Sequence, residues 1–416
     1  MLIQFRFQNF KSFRDDTILD LSATKMTEFS DRIVSACGEK ILPTAVIFGA
    51  NASGKSNVIQ AFRYMSRYVM ESFSYGGDAK GEETDSRKMK CKPFLFDPVS
   101  READSSFEVY FVSMDGEKCK LYNYGFAINQ WGITEEWLNS KAKTAREYTR
   151  IFYRDNKELD LQGIPVNSQE NIRIALEKET LVASLGAKLK IAKLKIVRDW
   201  FSGVRFADFG NPYENAIRST IVPPGFVEDE TVRKQVVSYF SSFDSSIADF
   251  NAEMSDDGDR CKIEAIHRGV DGGRVAIPLR EESSGTLKMF ALYPILQKTL
   301  EKGGVLFVDE LNARLHPLLV RNFLITFLNP EINRNHAQLV FTSHDSWQLS
   351  NHLLRRDEIW FTEKNEDGVT TLYSLADFIS ADGEKIRKDE SYEKNYLLGK
   401  YGAIPTLKFL DVFKGE

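Results

Sequence analysis

The stretch Phe48-Gly49-Ala50-Asn51-Ala52-Ser53-Gly54-Lys55-Ser56-Asn57 constrains this chain more than any other. It carries the spacing G-x-x-x-x-G-K-S, in which glycines let the backbone wrap closely enough for its N–H groups to face phosphate oxygens. The run Thr44 to Phe48 before it predicts a short, buried strand. After it, Val58, Ile59, Phe62, Met65 and Val69 recur at helical spacing between Asn57 and Glu71. Strand, loop and helix in this order aim the positive end of a helix dipole at a bound anion. Gly49, Asn51, Ser53, Gly54 and Asn57 then belong to the cradle, Lys55 reaches the β- and γ-phosphates, and the Ser56 hydroxyl ligates Mg²⁺. A structural glycine turn is the competing reading, and it does not account for the flanks. The expectation is a nucleotide site.

The 416 residues are enough for two or three domains, or for one domain with a large insertion. At a net charge of −5, the molecule as a whole is not a basic nucleic-acid binder, so any such contact is a local patch. Cys37, Cys91, Cys119 and Cys261 show no C-x-x-C spacing, which predicts a reducing compartment and neither a zinc ribbon nor a disulfide framework. There is no eighteen-residue apolar run and no signal-like start at Met1, so the expectation is a cytoplasmic protein that does not span a membrane.

Along the chain, Leu2 to Phe7 predicts a strand at a sheet edge, returning as a hairpin near Thr17 to Leu21. Gly76 to Lys92 is polar and predicts a mobile surface loop. Phe107 to Val112 and Leu121 to Ile128 predict paired strands around the turn Asp115-Gly116. From about 165 to 255 the periodicity is helical, with Leu181, Leu185, Leu189, Ala192, Ile196 and Trp200 on one face. Strands return at Cys261 to His267 and Gly273 to Leu279, and helices alternate with strands after Glu281.

Three further stretches carry chemistry. Val305-Leu306-Phe307-Val308-Asp309-Glu310 reads as a buried strand ending in two acids. Asp309 is placed to hold Mg²⁺, and Glu310 to polarise an attacking water as a general base. Ser283-Ser284-Gly285-Thr286 opens an apolar helix, which makes either a second anion site or an ordinary N-cap. Leu339 to Thr342 is a buried strand delivering Ser343, His344 and Asp345 at its end, with His344 the candidate γ-phosphate sensor. Lys188, Lys190, Lys193, Lys195 and Arg198 form a basic helix, either a nucleic-acid contact or a solvated face.

In this order the motifs resemble the ABC-class ATPases of the SMC, RecF and OLD type over nearly the whole chain. Within that class, Phe7 to Phe13, Lys92 to Asp97, Glu310 to Pro317 and Tyr396 to Pro405 are most similar to AAA15-type ATPases of phage defence, including abortive-infection (AbiL/RloA-like) proteins. The resemblance implies an α/β fold: an ABC-type ATPase head with a P-loop mixed β-sheet core, an antiparallel β subdomain and a helical insertion. The expected lobes are 1–160, 161–258 and 259–416. It implies ATP and Mg²⁺ as ligands, and a homodimer through ATP-bridged heads that can extend to a higher oligomer. The P-loop, Asp309 and His344 of one copy would then face Ser283, Ser284 and Gly285 of another. Asn312 to His316 would be the D-loop region, where Arg314 departs from the small or polar residue expected, and no glutamine is placed as a Q-loop residue. Only about seventy residues follow His344, so the expectation is that nuclease activity sits in a separately encoded effector. The alternative is a RecF- or SMC-like ATPase acting directly on DNA.

Overall fold

The computed structural model describes residues 1–75, 89–115, 118–211, 213–214, 222–223, 225–241, 244–254, 261–313, 315–379, 383 and 385–405. Most of the polar loop from Gly76, the Gly116 turn residue and Arg314 lie outside them. The chain divides into two compact units, Met1–Val204 with Val340–Glu416, and Arg205–Leu339. The architecture is α/β, with sheets of several strands carrying helices.

In the first unit, β1 (Leu2–Gln8) and β2 (Thr17–Asp20) form the expected hairpin. They continue an antiparallel sheet of β6 (Ser105–Asp115), β7 (Lys118–Asn129), β8 (Gly132–Ala142), β9 (Thr149–Asp155) and β10 (Leu159–Asp160), in the order β10-β9-β8-β7-β6-β1-β2. β1 is therefore interior and β2 is the edge, a correction of the edge reading. Phe5 and Phe7 are buried while Arg6 and Gln8 are exposed, the alternation of a strand with one face on a core. β3 (Val34–Ala36) and β4 (Glu39–Ile41) pair separately. Cys37 between them is disulfide-bonded to Cys119 on β7, a pairing across 82 residues that the absence of close spacing had argued against.

The P-loop strand β5 (Thr44–Gly49) is buried at every position, as its apolar run requires. It lies between β16 (Gln338–Thr342) and the parallel β17 (Ile359–Lys364), which turns back as β18 (Thr370–Ser374). Helix α1 (Lys55–Glu71) starts two residues before the predicted Asn57 and buries all five predicted apolar residues. Phe62 meets Phe5 edge-on at 4.8 Å and Phe201 at 6.1 Å, so one aromatic core joins α1, β1 and a later helix.

That later region corrects the single helical face. After α2 (Pro98–Glu102) and α3 (Val166–Ala175), α4 (Val182–Lys188) and α5 (Ala192–Ser202) are separate helices. Lys190 between them takes φ 61°, which ends one helix and resets the phase of the next. The buried face of α5 is Leu194, Val197 and Phe201, while Leu189 and Ala192 are exposed. The predicted basic helix is broken at the same place. Its Lys193 donates to the Gly163 carbonyl, Lys195 pairs with Asp199, and Lys188 and Arg198 both sit over the Phe73 ring.

The second unit also carries strands where helix was expected. β11 (Val204–Asp208), which begins at the boundary, precedes α6 (Glu230–Ser241), and β12 (Ile247–Met254) follows it. β12 joins β13 (Cys261–Arg268) and β14 (Arg274–Pro278) in an antiparallel sheet. Then come α7 (Ser284–Lys302), β15 (Val305–Asp309) and α8 (Pro317–Leu328). Gly303 closes α7 in the left-handed conformation that a helix C-terminus favours.

A buried polar knot anchors β17 in the first unit. Arg355 pairs with Asp357, whose carboxylate also accepts from the Thr24 backbone N–H and hydroxyl at 2.9 and 2.7 Å. Beside it Glu358 is fully buried, accepting from the Arg355 backbone N–H at 2.8 Å. Burial, helped by the Asp357 charge, pushes the Glu358 carboxyl up to about 8, against 4.5 when free. A raised folded value means that this group's stability contribution is full below the unfolded value and is lost as pH rises through about 8. Urea unfolding of Glu358→Gln should therefore show a gain over the native chain that grows from pH 5 to pH 8, reaching a few kcal/mol. A constant difference across that range would mean that Glu358 is ionised in the fold. The last helix among the described residues, α9 (Tyr392–Leu397), stacks Tyr396 on Phe361 at 5.4 Å, and Tyr373 donates to the Tyr401 carbonyl at 2.7 Å. Tyr396 to Pro405 thus packs against β17 and β18.

Candidate functional site

In the first unit the phosphate loop leaves β5 at Gly49 and enters α1 at Lys55. Gly49 has φ 152°, and a Cβ there would stand 2.5 Å from the Thr362 carbonyl oxygen and 2.7 Å from Ser53 Oγ. Gly54 has φ 108°, and its Cβ would stand 2.7 Å from Thr370 Oγ1 and 3.0 Å from Ser12 Oγ. Both glycines are needed for conformation and for space. Lys55 is almost fully buried, with Nζ donating to the Gly49 and Ala50 carbonyls at 2.9 and 2.8 Å, so its charge lies along the loop. Asn51 and Ala52 form the exposed tip, Ser56 is half-buried in the first turn, and Asn57 Nδ2 donates to Ser12 Oγ at 2.8 Å.

Three residues that the motif does not contain hold this loop in shape. Ser53 Oγ and Thr362 Oγ1 are 2.6 Å apart, and Thr370 Oγ1 donates to the Ser53 carbonyl at 3.0 Å. The Thr370 N–H donates to the Ser12 carbonyl at 2.7 Å. Thr362 and Thr370 come from β17 and β18, more than 300 residues downstream, and no local pattern marks them. His344 is in the same unit and exposed. The Ser343 N–H donates to the Ile47 carbonyl at 3.1 Å, tying the segment with His344 to the strand that feeds the phosphate loop.

The second unit holds the acids and the small-residue turn. β15 is buried throughout and ends at Asp309, whose carbonyl accepts from the Phe209 N–H at 3.0 Å. Glu310 follows at φ 52°, a conformation costing a non-glycine residue about 1 kcal/mol and often kept at working sites. Its carboxylate packs on Gly210, where a Cβ would stand 2.5 Å from Oε2. Ser283 caps α7, its Oγ accepting from the Thr286 N–H at 3.1 Å. Ser283 and Ser284 are exposed, and Gly285 is half-buried. Just before the cap, Glu282 meets His267 Nε2 at 2.7 Å, and His267 Nδ1 meets Ser246 Oγ at 2.9 Å.

Lys288, one turn into α7, was not anticipated. It is buried, its Nζ donates to the Phe209 carbonyl at 2.9 Å and to the Ala313 carbonyl, and it lies 5.0 Å from the Phe209 ring. One cation therefore links the helix that starts at Ser284 to the loops after β11 and β15. His316 is also settled: its Nδ1 accepts from the Leu318 N–H at 3.2 Å, capping α8.

The structure thus gathers Gly49, Asn51, Ser53, Gly54, Lys55, Ser56, Asn57 and His344 in one unit, and Ser283, Ser284, Gly285, Asp309 and Glu310 in the other. Among the described residues no group of three or more His, Cys, Asp or Glu side chains forms a metal cage. Such a cage is not what Mg²⁺ asks for, since it keeps waters and phosphate oxygens and takes one or two protein ligands. Among the described residues no helix is long and apolar enough to cross a membrane.

Residues 45–346 match the family described as "AAA domain, putative AbiEii toxin, Type IV TA system". No curated protein matches the sequence. Among solved structures, an SMC head bound to the C-terminal winged-helix domain of ScpA is similar at a TM-score of 0.43 and 13% identity, over 90% of this chain and 97% of that one. The SMC head domain from Thermotoga maritima is similar at 0.42 and 14%, over 90% and 98%.

Proposed function

The chain belongs to this AAA-domain family of ATPases, and on that premise we propose that it binds and hydrolyses ATP as a switch in anti-phage defence. The observation that carries the nucleotide reading is the loop from Gly49 to Ser56, where two glycines leave no room for side chains and Lys55 lies along the backbone. Lys55 neutralises β- and γ-phosphate charge. The Ser56 hydroxyl in one unit and the Asp309 carboxylate in the other are each an oxygen of the kind that would hold Mg²⁺, and the ion would supply positive charge to the phosphates. Glu310 accepts a proton from the attacking water, and His344 reads the γ-phosphate.

Ser283 and Ser284 are exposed at a helix start with Gly285 half-buried beside them, and N–H and hydroxyl groups there are the chemistry that would take up a γ-phosphate held by a second copy. ATP would then favour the paired state by the free energy of those bridging contacts, and hydrolysis would remove the bias. A separately encoded effector, a nuclease in the first instance, would be held or released by that change. Direct action on DNA is less well supported, because four of the five residues of the predicted basic helix have partners in the fold: Lys193 the Gly163 carbonyl, Lys195 Asp199, and Lys188 and Arg198 the Phe73 ring.

The test is a phage challenge of cells carrying the chain with its neighbouring gene. Protection that needs both genes and disappears with Lys55→Ala is the expected result. Sensitivity to DNA damage with no change in phage susceptibility would favour the repair reading instead.

A further inference from the structure

The strip Lys92 to Val99 exposes three large apolar side chains, an unusual density for a surface. Leu95 is 59% exposed, Phe96 73% and Val99 76%. The strip is nevertheless firmly held. Asn9, buried, accepts from the Phe94 N–H at 2.9 Å and donates to the Ser100 and Ala103 carbonyls at 2.7 and 3.0 Å. The Lys11 N–H donates to the Lys92 carbonyl at 2.8 Å, and Asp97 caps α2. Phe94 meets Phe96 edge-on at 5.5 Å, which fixes the second ring against the first.

Its position is tied to the phosphate loop through the turn between β17 and β18. Phe96 lies on Gly368, where a Cβ would stand 2.9 Å from its Cδ2. Two residues on, Thr370 bonds the Ser53 carbonyl and packs against Gly54. Two residues span at most about 7 Å, so the exposed ring stands within a nucleotide's length of the first turn of α1. The adjoining loop from Asn9 to Phe13 is bound to the same start of α1 through Ser12 and Asn57. Lys11 and Lys92 also lie close enough that burial and the second charge hold the Lys11 ammonium below its ordinary value, so an anion passing along the strip would be favoured.

We propose that Phe96 is the platform on which the nucleobase stacks when the Gly49–Ser56 loop holds the phosphates, so that this strip forms the base subsite. The proposal rests on the nucleotide reading of that loop. An aromatic face accepts any base by stacking, and a ring already fixed in place loses little freedom on doing so. The subsite therefore adds affinity for a nucleoside triphosphate over a bare polyphosphate, and by itself chooses weakly among bases.

Calorimetric titration of the full chain with Mg-ATP and with Mg-pyrophosphate separates the cases. Phe96→Ala should weaken ATP about tenfold, Phe96→Trp should match or exceed the native affinity, and pyrophosphate should bind all three proteins alike. Unchanged ATP affinity in Phe96→Ala would overturn the proposal. So would an equal loss of both ligands, since that would report a displaced phosphate loop. A native chain that bound neither ligand would instead overturn the nucleotide reading beneath it.

Discussion

Replacing Glu310 by Gln is expected to lower ATP turnover by roughly 10²- to 10⁴-fold and to leave ATP affinity nearly unchanged. The amide keeps the shape of the carboxylate and its seat on Gly210 but cannot take the proton of an attacking water. Nothing in the loop around Gly49 changes, so binding survives. Glu310 adopts φ 52°, and the neighbouring chain holds it there through Ala313, whose N–H donates to the Glu310 carbonyl at 2.8 Å. The substitution should therefore alter chemistry rather than folding. Phosphate release under saturating ATP reads the first effect, and equilibrium titration the second. Wild-type turnover in the variant would remove Glu310 from the base role.

Gly49→Ala is expected to abolish measurable ATP binding and to cost about 2–4 kcal/mol of stability. Its Cβ would enter the space of the Thr362 carbonyl oxygen, at 2.5 Å, and a carbonyl in a parallel ladder cannot swing aside as a side chain can. Because β17 is paired to β5 through this residue, the strain would spread into the sheet that positions the loop. Gly272→Ala is the control. It has φ 79° with nothing within 4 Å of its Cβ, so it incurs backbone strain alone, about 1 kcal/mol, and it belongs to the other unit. Urea unfolding and ATP titration of the two variants separate the effects. Near-native binding by Gly49→Ala would mean that the loop does not cradle phosphates.

The elements that could be read in advance are those whose signal is local. Val305 to Asp309 and Thr44 to Gly49 are continuous apolar runs, and both are buried strands because a strand covered on both faces needs no polar alternation. The spacing of Val58 to Val69 likewise gave one buried helical face. The same argument failed between Leu181 and Trp200, because apolar spacing ran on through Lys190 and nothing in the composition marked its left-handed turn. Thr362 and Thr370 escaped notice because their hydrogen bonds to Ser53 cross 309 and 317 residues. Lys288 was hidden for another reason: a lysine in a helix ordinarily reads as a solvated position, and only the fold reveals two carbonyls waiting for it. The Cys37–Cys119 bond belongs with these, since it depends on β7 meeting the β3–β4 hairpin.

The most direct test of an ATP-bridged switch is the mass of the Glu310→Gln protein in solution, measured by native mass spectrometry with and without Mg-ATP. The prediction is a single chain without nucleotide and a complex of two chains with two ATP molecules when it is present. A single chain carrying one ATP, or a dimer indifferent to nucleotide, would contradict it.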